Sequence, residues 1–265
     1  MFSRNSIQTS NFKLFYYKLG NGKEPLLLFH GFGQTHRAFN SWNELSDQYT
    51  LYLFDLFFHG ESTWHNRLPI EKKDWKKILK IFLEKEGLER FSIGGFSMGG
   101  KFALAALESF PTQINRIILL APDGIKTSFW YSLATYPIAI RSLFKSMILH
   151  PNRLYKITKA LRAVKLIDNG LLRFAELQMD TEEKRRRVYY SWVYFRHFKF
   201  DLALIAKLIH THKIDFVLYT GRYDKVIPPE NMNRLLKHLP SKYSNTILEA
   251  GHNDLINKSF LLLKN

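Results

Sequence analysis

The sequence predicts an α/β fold in which a mostly parallel sheet is covered by helices on both faces. Its 265 residues are enough for one α/β domain that buries its own core. Short, nearly continuous apolar runs recur along the chain, a pattern typical of strands that are buried on both faces. Helical spacing fills segments between these runs, and the order strand, helix, strand predicts parallel strands joined by right-handed crossovers.

The elements follow in chain order from these patterns. Segment 6–20 alternates between apolar and polar residues, which predicts an antiparallel hairpin at the sheet edge. Further strands are predicted at 25–29, 49–56, 91–96, 116–121, 215–220 and 245–248. Five apolar side chains share one face of a predicted helix between two of these strands: Trp75, Ile78, Leu79, Phe82 and Leu83.

Residues 123–205 interrupt this alternation and are predicted to form a helical cap. They contain helical patterns such as 154–167 and 182–198 but no convincing strand. The predicted core therefore comprises residues 1–122 and 206–265. The cap segment holds fifteen Lys or Arg against seven Asp or Glu, which is half of the formal net charge of +16.

Composition limits the classes of partner and compartment. A charge of +16 suits nucleic acid, an anionic membrane surface or anionic small molecules, but no nucleic-acid recognition motif accompanies it. The absence of cysteine excludes disulfides and thiolate metal sites, and it fits a reducing compartment. The sequence shows neither an apolar leader nor a run long enough to span a membrane, so a soluble, cytoplasmic protein is expected.

Residues 94–100, GGFSMGG, contain the pattern G-x-S-x-G. Strand 91–96 precedes the serine, and the alanine-rich segment 101–107, which is predicted to be helical, follows it. Small residues on either side of a serine allow a sharp turn between strand and helix that exposes the hydroxyl. Ser97 is therefore predicted to be a nucleophile.

A serine hydroxyl needs a base and an orienting acid, and two late turns supply them. Asp224 lies in GRYDKVIP after strand 215–220, and His252 lies in AGHN after strand 245–248. Both follow the carboxyl ends of strands, where open parallel sheets gather their ligand sites. Asp123, which follows strand 116–121, is a second candidate for the acid.

The turn HGFG at residues 30–33 follows strand 25–29. A glycine-rich turn there can direct a backbone N–H toward the serine, and the residue after the nucleophile can supply another. The predicted oxyanion hole therefore consists of the Phe32 and Met98 amides. His30 is predicted to be structural, bound to neighbouring backbone.

Five blocks of sequence together resemble the α/β-hydrolase fold superfamily in its lidded, single-domain branch: HGFG, DLFFHGES, GGFSMGG, GRYDKVIP and EAGHND. The resemblance implies an eight-stranded, mostly parallel sheet with a helical cap after the sixth strand. It also implies a triad of Ser97, Asp224 and His252 and no metal or organic cofactor. In DLFFHGES, at 55–62, Phe58 stands where the family usually has glycine; Asp55 and His59 are expected to brace that turn.

By resemblance the reaction is acyl transfer from an ester or thioester of a small or medium-sized, possibly anionic molecule. The same triad serves hydrolases that cleave C–C bonds of diketones. FSMGGK is also similar to the elbow of a menaquinone-pathway lyase, which has arginine where this chain has Lys101. A non-catalytic ligand receptor on the same fold is a further alternative.

Candidate substrate contacts are Lys101 and four cap residues, Trp130, Arg141, Trp192 and Arg196. No spacing in the sequence selects among these cap residues, and cap aromatics at helical spacing are expected mainly to pack the cap. The run at 184–187, KRRR, is expected to be a solvated helix face. Weak adhesion of the basic cap to anionic lipid is a further hypothesis.

Overall fold

The computed structural model describes residues 3–127, 129–153, 156, 159–160 and 178–264; the side chains of Phe129 and Trp130 are outside this description. The chain forms two compact units. Unit 1 comprises Met1–Thr127 and His197–Asn265, and unit 2 comprises Ser128–Arg196. No helix among the described residues is long and apolar enough to cross a membrane.

A single mixed sheet forms the centre of unit 1. Its strands are β1 (Ser3–Gln8), β2 (Phe12–Leu19), β3 (Glu24–Phe29), β4 (Tyr49–Phe54), β5 (Thr63–Trp64), β6 (Phe91–Phe96), β7 (Ile114–Leu120), β8 (Asp215–Gly221) and β9 (Thr246–Leu248). The spatial order is β1-β2-β4-β3-β6-β7-β8-β9, with the two-residue β5 paired to β2. Pairs β1–β2, β2–β4 and β2–β5 are antiparallel, and the others are parallel.

The sheet confirms the predicted fold class. The expected hairpin lies at the sheet edge, and each of the six further strands predicted is found within two residues of its expected bounds. Without the two-residue β5, the sheet has the eight strands that the resemblance implies, and β7 is the sixth of them. Unit 2 begins after β7.

The helices of unit 1 are α1 (Lys72–Glu86), α2 (Gly99–Ser109), α6 (Leu202–Thr211), the one-turn α7 (Asn233–Leu236) and α8 (Leu255–Leu263). Three 3₁₀ segments accompany them: His36–Leu45, Pro229–Met232 and His252–Asp254. Helix α1 begins with a reciprocal capping box between Glu71 and Asp74, and it ends at Gly87, whose left-handed φ of +66° suits glycine.

Strand β3 shows how the core is divided between the two faces of the sheet. The Phe29 ring lies 5.5 Å from Trp75 of α1, measured between ring centroids, and Trp75 lies 4.9 Å from Phe102 of α2. The alternate side chain, Leu28, belongs to a buried cluster with Trp42, whose indole N–H donates to the Ile256 carbonyl of α8 at 3.0 Å. Helices therefore cover both faces, and the predicted apolar face of α1 is buried.

Unit 2 contains α3 (Phe129–Thr135), α4 (Ile138–Leu149) and α5 (Glu182–Tyr194) among its described residues. Helices α4 and α5 pack through Phe144, whose ring lies 5.4 Å from Tyr189 and 5.9 Å from Trp192. Of the two helical segments predicted there, 182–198 is helical as far as Tyr194, whereas most of 154–167 lies outside the described residues.

The predicted cap, 123–205, is wider than unit 2 because both of its ends belong to unit 1. The Asp123 amide bonds the Ser97 carbonyl, and the Phe198 ring packs 5.0 Å from Phe102. The run at 184–187 also needs a correction. Arg185 is buried rather than solvated, because its guanidinium donates to the carbonyls of Ile148, Met179 and Asp180.

Phe82 and Ile81 provide a matched test of the α1 face. Phe82 is fully buried, with ring centroids 5.0 Å from Tyr16 and 4.8 Å from Phe54, whereas Ile81 is 37% exposed. We expect Phe82→Ala to lower the free energy of unfolding by about 3 to 5 kcal/mol, because it removes buried apolar contacts and leaves a cavity. Ile81→Ala should cost about 1 kcal/mol or less. Urea unfolding measures both, and equal losses would contradict the assignment of this face.

Candidate active site

Ser97 lies at a sharp turn between β6 and α2. Its φ of +50° falls in the left-handed region, which a non-glycine residue rarely occupies. The turn requires glycine on both sides of the serine. A Cβ on Gly99 would collide with the Phe29 carbonyl, and a Cβ on Gly95 would lie 2.5 Å from the Gly99 oxygen. This geometry confirms the strand, turn and helix that the motif predicts.

Backbone hydrogen bonds hold the same turn to the neighbouring strand. The Ser97 amide donates to the Leu120 carbonyl of β7 at 2.9 Å. The Ser97 carbonyl accepts from the Gly100 amide at 2.9 Å and from the Asp123 amide at 2.8 Å. The backbone of the serine is thus bonded at both its N–H and its C=O, which fixes the origin of the side chain.

A chain of hydrogen bonds joins Ser97, His252 and Asp224. His252 Nε2 lies 2.9 Å from Ser97 Oγ, and His252 Nδ1 lies 2.6 Å from Asp224 Oδ2. An ionised carboxylate only accepts, so the proton of the neutral imidazole sits on Nδ1. Nε2 is therefore the acceptor for the serine hydroxyl. The Phe96 ring packs against the imidazole at 4.9 Å between centroids.

The turn after β8 orients the Asp224 carboxylate. Its Oδ1 accepts the amides of Val226 and Ile227, each at 2.8 Å, which leaves Oδ2 directed at His252. The Asp224 side chain is fully buried, whereas the His252 side chain is 13% exposed. A buried carboxylate that accepts from three donors is held in one orientation.

Asp123, the other candidate acid, has different partners. Its Oδ2 lies 2.8 Å from the Lys101 ammonium, and its Oδ1 accepts the Gly124 amide at 2.7 Å. Lys101 is buried in the first turn of α2, four residues after the serine. The carboxylate that contacts His252 is that of Asp224, and the predicted contact of Lys101 with substrate stays a prediction.

His30 is buried by the turn after β3 and bonds neighbouring backbone. Its Nδ1 lies 2.7 Å from the Gly31 carbonyl, and its Nε2 accepts the Leu56 amide at 3.0 Å. Burial lowers the pKa of His30 to about 4, so the ring is neutral near pH 7. The prediction of a structural histidine is confirmed.

Two side chains fix the turn that carries Phe32. The amide of Gly31 donates to Gln34 Oε1 at 3.0 Å, and that of Gly33 donates to His59 Nε2 at 2.9 Å. Gln34 is not among the predicted site residues, and its position three residues after Gly31 becomes informative only with the turn in view. The role of the Phe32 and Met98 amides as an oxyanion hole stays a prediction; Met98 lies directly before α2.

The DLFFHGES turn is braced as expected. Asp55 Oδ1 accepts both the amide of His36 at 2.7 Å and its Nδ1 at 2.9 Å. His59 Nδ1 donates to the Phe57 carbonyl at 3.0 Å. Phe58 adopts a φ of +67°, which explains why glycine is usual at this position.

Three of the predicted substrate contacts in unit 2 can be located. Arg141 is half-buried in the first turn of α4, and Arg196 lies just after α5, where its guanidinium donates to the Val193 carbonyl. Burial and the charge of Arg141 lower the pKa of Arg196. Among the described residues, neither guanidinium is paired with a carboxylate.

Trp192 packs on Phe144, and the Trp130 side chain lies outside the described residues. Their contact with substrate stays a prediction.

Comparison with known proteins shows which sequences this chain resembles. The sequence profile of the α/β-hydrolase fold matches residues 24–142. Lipase 1 of Psychrobacter immobilis is 27% identical over 91% of this chain and 75% of the lipase. Lipase 3 of Moraxella sp. strain TA144 is 25% identical over 86% of this chain and 71% of that lipase.

Solved structures share the fold. A malate-bound thermophilic esterase from Thermogutta terrifontis superimposes with a TM-score of 0.71 at 18% identity, over 99% of this chain and 97% of the esterase. This likeness concerns the fold, because the identity is low.

The neutral, buried His30 predicts a pH dependence of stability. The unfolded histidine has a pKa of about 6.5, so between about pH 6.5 and pH 4 the unfolded chain binds a proton that the folded chain does not. Folding is therefore weakened as the pH falls through this window, by about 2 to 3 kcal/mol at pH 4.5. In His30→Gln, the loss of unfolding free energy between pH 7.5 and pH 4.5 should be smaller by that amount. Urea unfolding at the two pH values measures it.

His238→Gln is the matched control, because His238 is exposed. It should leave the difference between pH 7.5 and pH 4.5 as it is in the unmodified protein. An unaltered pH dependence in His30→Gln would mean that His30 is protonated in the folded chain.

Proposed function

We propose that this chain, which has the α/β-hydrolase fold, is a serine hydrolase that cleaves carboxylic esters or thioesters through an acyl-enzyme on Ser97. One observation carries the proposal: Ser97 Oγ, the His252 ring and the Asp224 carboxylate form a continuous chain of hydrogen bonds. The two lipases among its relatives support an ester as the substrate.

The first half of the reaction forms the acyl-enzyme. His252 Nε2 takes the hydroxyl proton as Ser97 Oγ bonds to the carbonyl carbon, and the carbonyl electrons move onto oxygen. The Phe32 and Met98 amides stabilise this oxyanion in the proposal. The imidazolium then gives its proton to the departing alcohol or thiol as the bond between the acyl carbon and the leaving group breaks.

The second half releases the acid. His252 accepts a proton from a water molecule, whose oxygen attacks the acyl carbon of the ester on Ser97. Collapse of the new oxyanion breaks the bond to Oγ, and the proton on His252 returns to the serine. Asp224 keeps Nδ1 protonated throughout and stabilises the imidazolium that forms twice per turnover.

Lys101 and Asp123 give the proposal a supporting argument. Because Lys101 binds the Asp123 carboxylate, the negative charge of Asp123 is offset beside the nucleophile. Asp224, in contrast, has only backbone amides and His252 as its bonded partners among the described residues. The acid of the proposed triad is therefore Asp224. Unit 2 takes the part of the substrate-selecting cap in this proposal.

The test is hydrolysis of p-nitrophenyl esters from acetate to palmitate. Ser97→Ala should lower kcat/KM by about 10⁴-fold or more, because the nucleophile is lost, while far-UV circular dichroism and thermal unfolding stay close to those of the unmodified chain. Asp224→Asn should cost about 10² to 10⁴-fold. Asp123→Asn is the matched control, with an expected loss of about tenfold or less. The reverse ranking of the two aspartates would contradict the triad.

Labelling by a fluorophosphonate, followed by intact mass spectrometry, separates the alternatives. We expect one adduct, absent from Ser97→Ala. A protein that neither labels nor turns over any ester would be a ligand receptor rather than a hydrolase. Labelling without ester turnover would instead favour the lyase or the diketone hydrolase, which release of pyruvate or cleavage of a 1,3-diketone would then distinguish.

A further inference from the structure

Helix α4 of unit 2 is apolar on two opposite sides. On one side, Phe144, Met147 and Ile148 are buried, and Phe144 packs against α5. On the other side, Ile138 is 74% exposed and Leu149 is 63% exposed. The solvent-facing side of a surface helix is normally polar or charged. Among the described residues, the outer side of α4 instead exposes these two aliphatic side chains.

The exposed aliphatic residues form one surface, which we call the outer face of α4. Positions 138, 142, 145 and 149 follow one another at helical spacing and share this side. They hold Ile138, Ser142, Lys145 and Leu149. Lys145 is the one charged residue of that row, and α4 contains no acidic residue.

The sequence segment that contains α4 carries charge of a single sign. Residues 124–167 include eight Lys or Arg and not one Asp or Glu. Arg153, Lys156 and Lys159 of this segment are exposed, as is Lys145. Ordinary soluble surfaces mix both signs, so a long stretch with cations alone points to an anionic partner.

The combination of exposed aliphatic and cationic side chains selects the partner. A nucleic acid would neutralise the cations but leave Ile138 and Leu149 in water. An anionic lipid surface satisfies both, because phosphate headgroups lie directly above hydrocarbon. Helix α4 is roughly 18 Å long against a hydrocarbon core of about 30 Å, so it can lie in the interface but cannot span it.

We propose that the outer face of α4 docks the protein onto an anionic lipid surface. Ile138 and Leu149 enter the boundary between headgroups and acyl chains, and Lys145 meets the lipid phosphates with the exposed cations that follow α4. This surface is distinct from the site at Ser97, and its docking requires no turnover.

Vesicle co-sedimentation of the full chain tests the proposal. Vesicles of phosphatidylcholine with about one third phosphatidylglycerol should retain the protein at 150 mM salt, and pure phosphatidylcholine vesicles should retain much less. Raising the salt to 500 mM should weaken the partitioning, because the attraction between lysine and headgroup is screened.

Two variants of the outer face separate its apolar and cationic contributions. The double variant Ile138→Ser, Leu149→Ser should reduce partitioning into anionic vesicles by about tenfold or more, because two inserted side chains are lost. Lys145→Glu should reduce it by about fivefold or more, because an attractive charge becomes a repulsive one. Matched controls are Leu261→Ser and Lys237→Glu, two exposed positions in unit 1 that should change partitioning by less than about twofold.

The remaining outcomes overturn the proposal. If the outer-face variants bind anionic vesicles as well as the controls do, α4 is not the docking surface. If sedimentation equilibrium shows a dimer that the double variant dissociates, the outer face binds a second copy of the chain. If a DNA duplex binds at 150 mM salt and only Lys145→Glu weakens it, the partner is a nucleic acid. Ser97→Ala should still bind the vesicles, so failure of the proposed function would leave this proposal intact.

Discussion

The left-handed turn at Ser97 is the constraint on which the candidate site depends. A serine at a φ of +50° is unfavourable by itself, and the chain holds it there by having no side chain at Gly95 or Gly99 and by bonding the Ser97 carbonyl to two amides. The parallel order of the strands then brings the other residues of the site to Ser97. Strands β6, β8 and β9 all end at the same edge, so residues more than 150 positions apart in the chain become hydrogen-bonded neighbours.

The charged side chains at this edge of the sheet also have specific partners. Two aspartates follow neighbouring strands, and each is given a different partner: a lysine for Asp123 and an imidazole for Asp224. The difference matters because a carboxylate already neutralised by an ammonium stabilises a nearby imidazolium less. Burial keeps His30, in the turn after β3, neutral. The histidine that bonds Ser97 is His252.

The fold and the core of the site could be predicted because their signals are local. Buried parallel strands are recognisable as apolar runs, and the sharp turn at Ser97 is recognisable from the glycines around the serine. The burial of Arg185 could not be predicted in this way. Its neighbours at 184, 186 and 187 are charged as well, and only the tertiary contact with the Ile148 and Met179 carbonyls distinguishes it from them. The sequence predicted Asp224 as the acid and kept Asp123 as a second candidate, since both follow a strand; the structure distinguishes them by contact, because His252 bonds Asp224 and Lys101 binds Asp123.

The DLFFHGES turn also has a consequence for heat tolerance. Phe58 occupies a left-handed conformation that costs an L-amino acid roughly 1 to 2 kcal/mol, and the turn persists because the Phe58 amide bonds the Ser62 carbonyl while His59 and Asp55 hold its two sides. The left-handed conformation of Phe58 thus lowers the free energy of unfolding, and this cost arises from the backbone rather than from the side chain. Heat tolerance therefore depends in part on the backbone of this turn, whose His59 also accepts the Gly33 amide of the turn after β3.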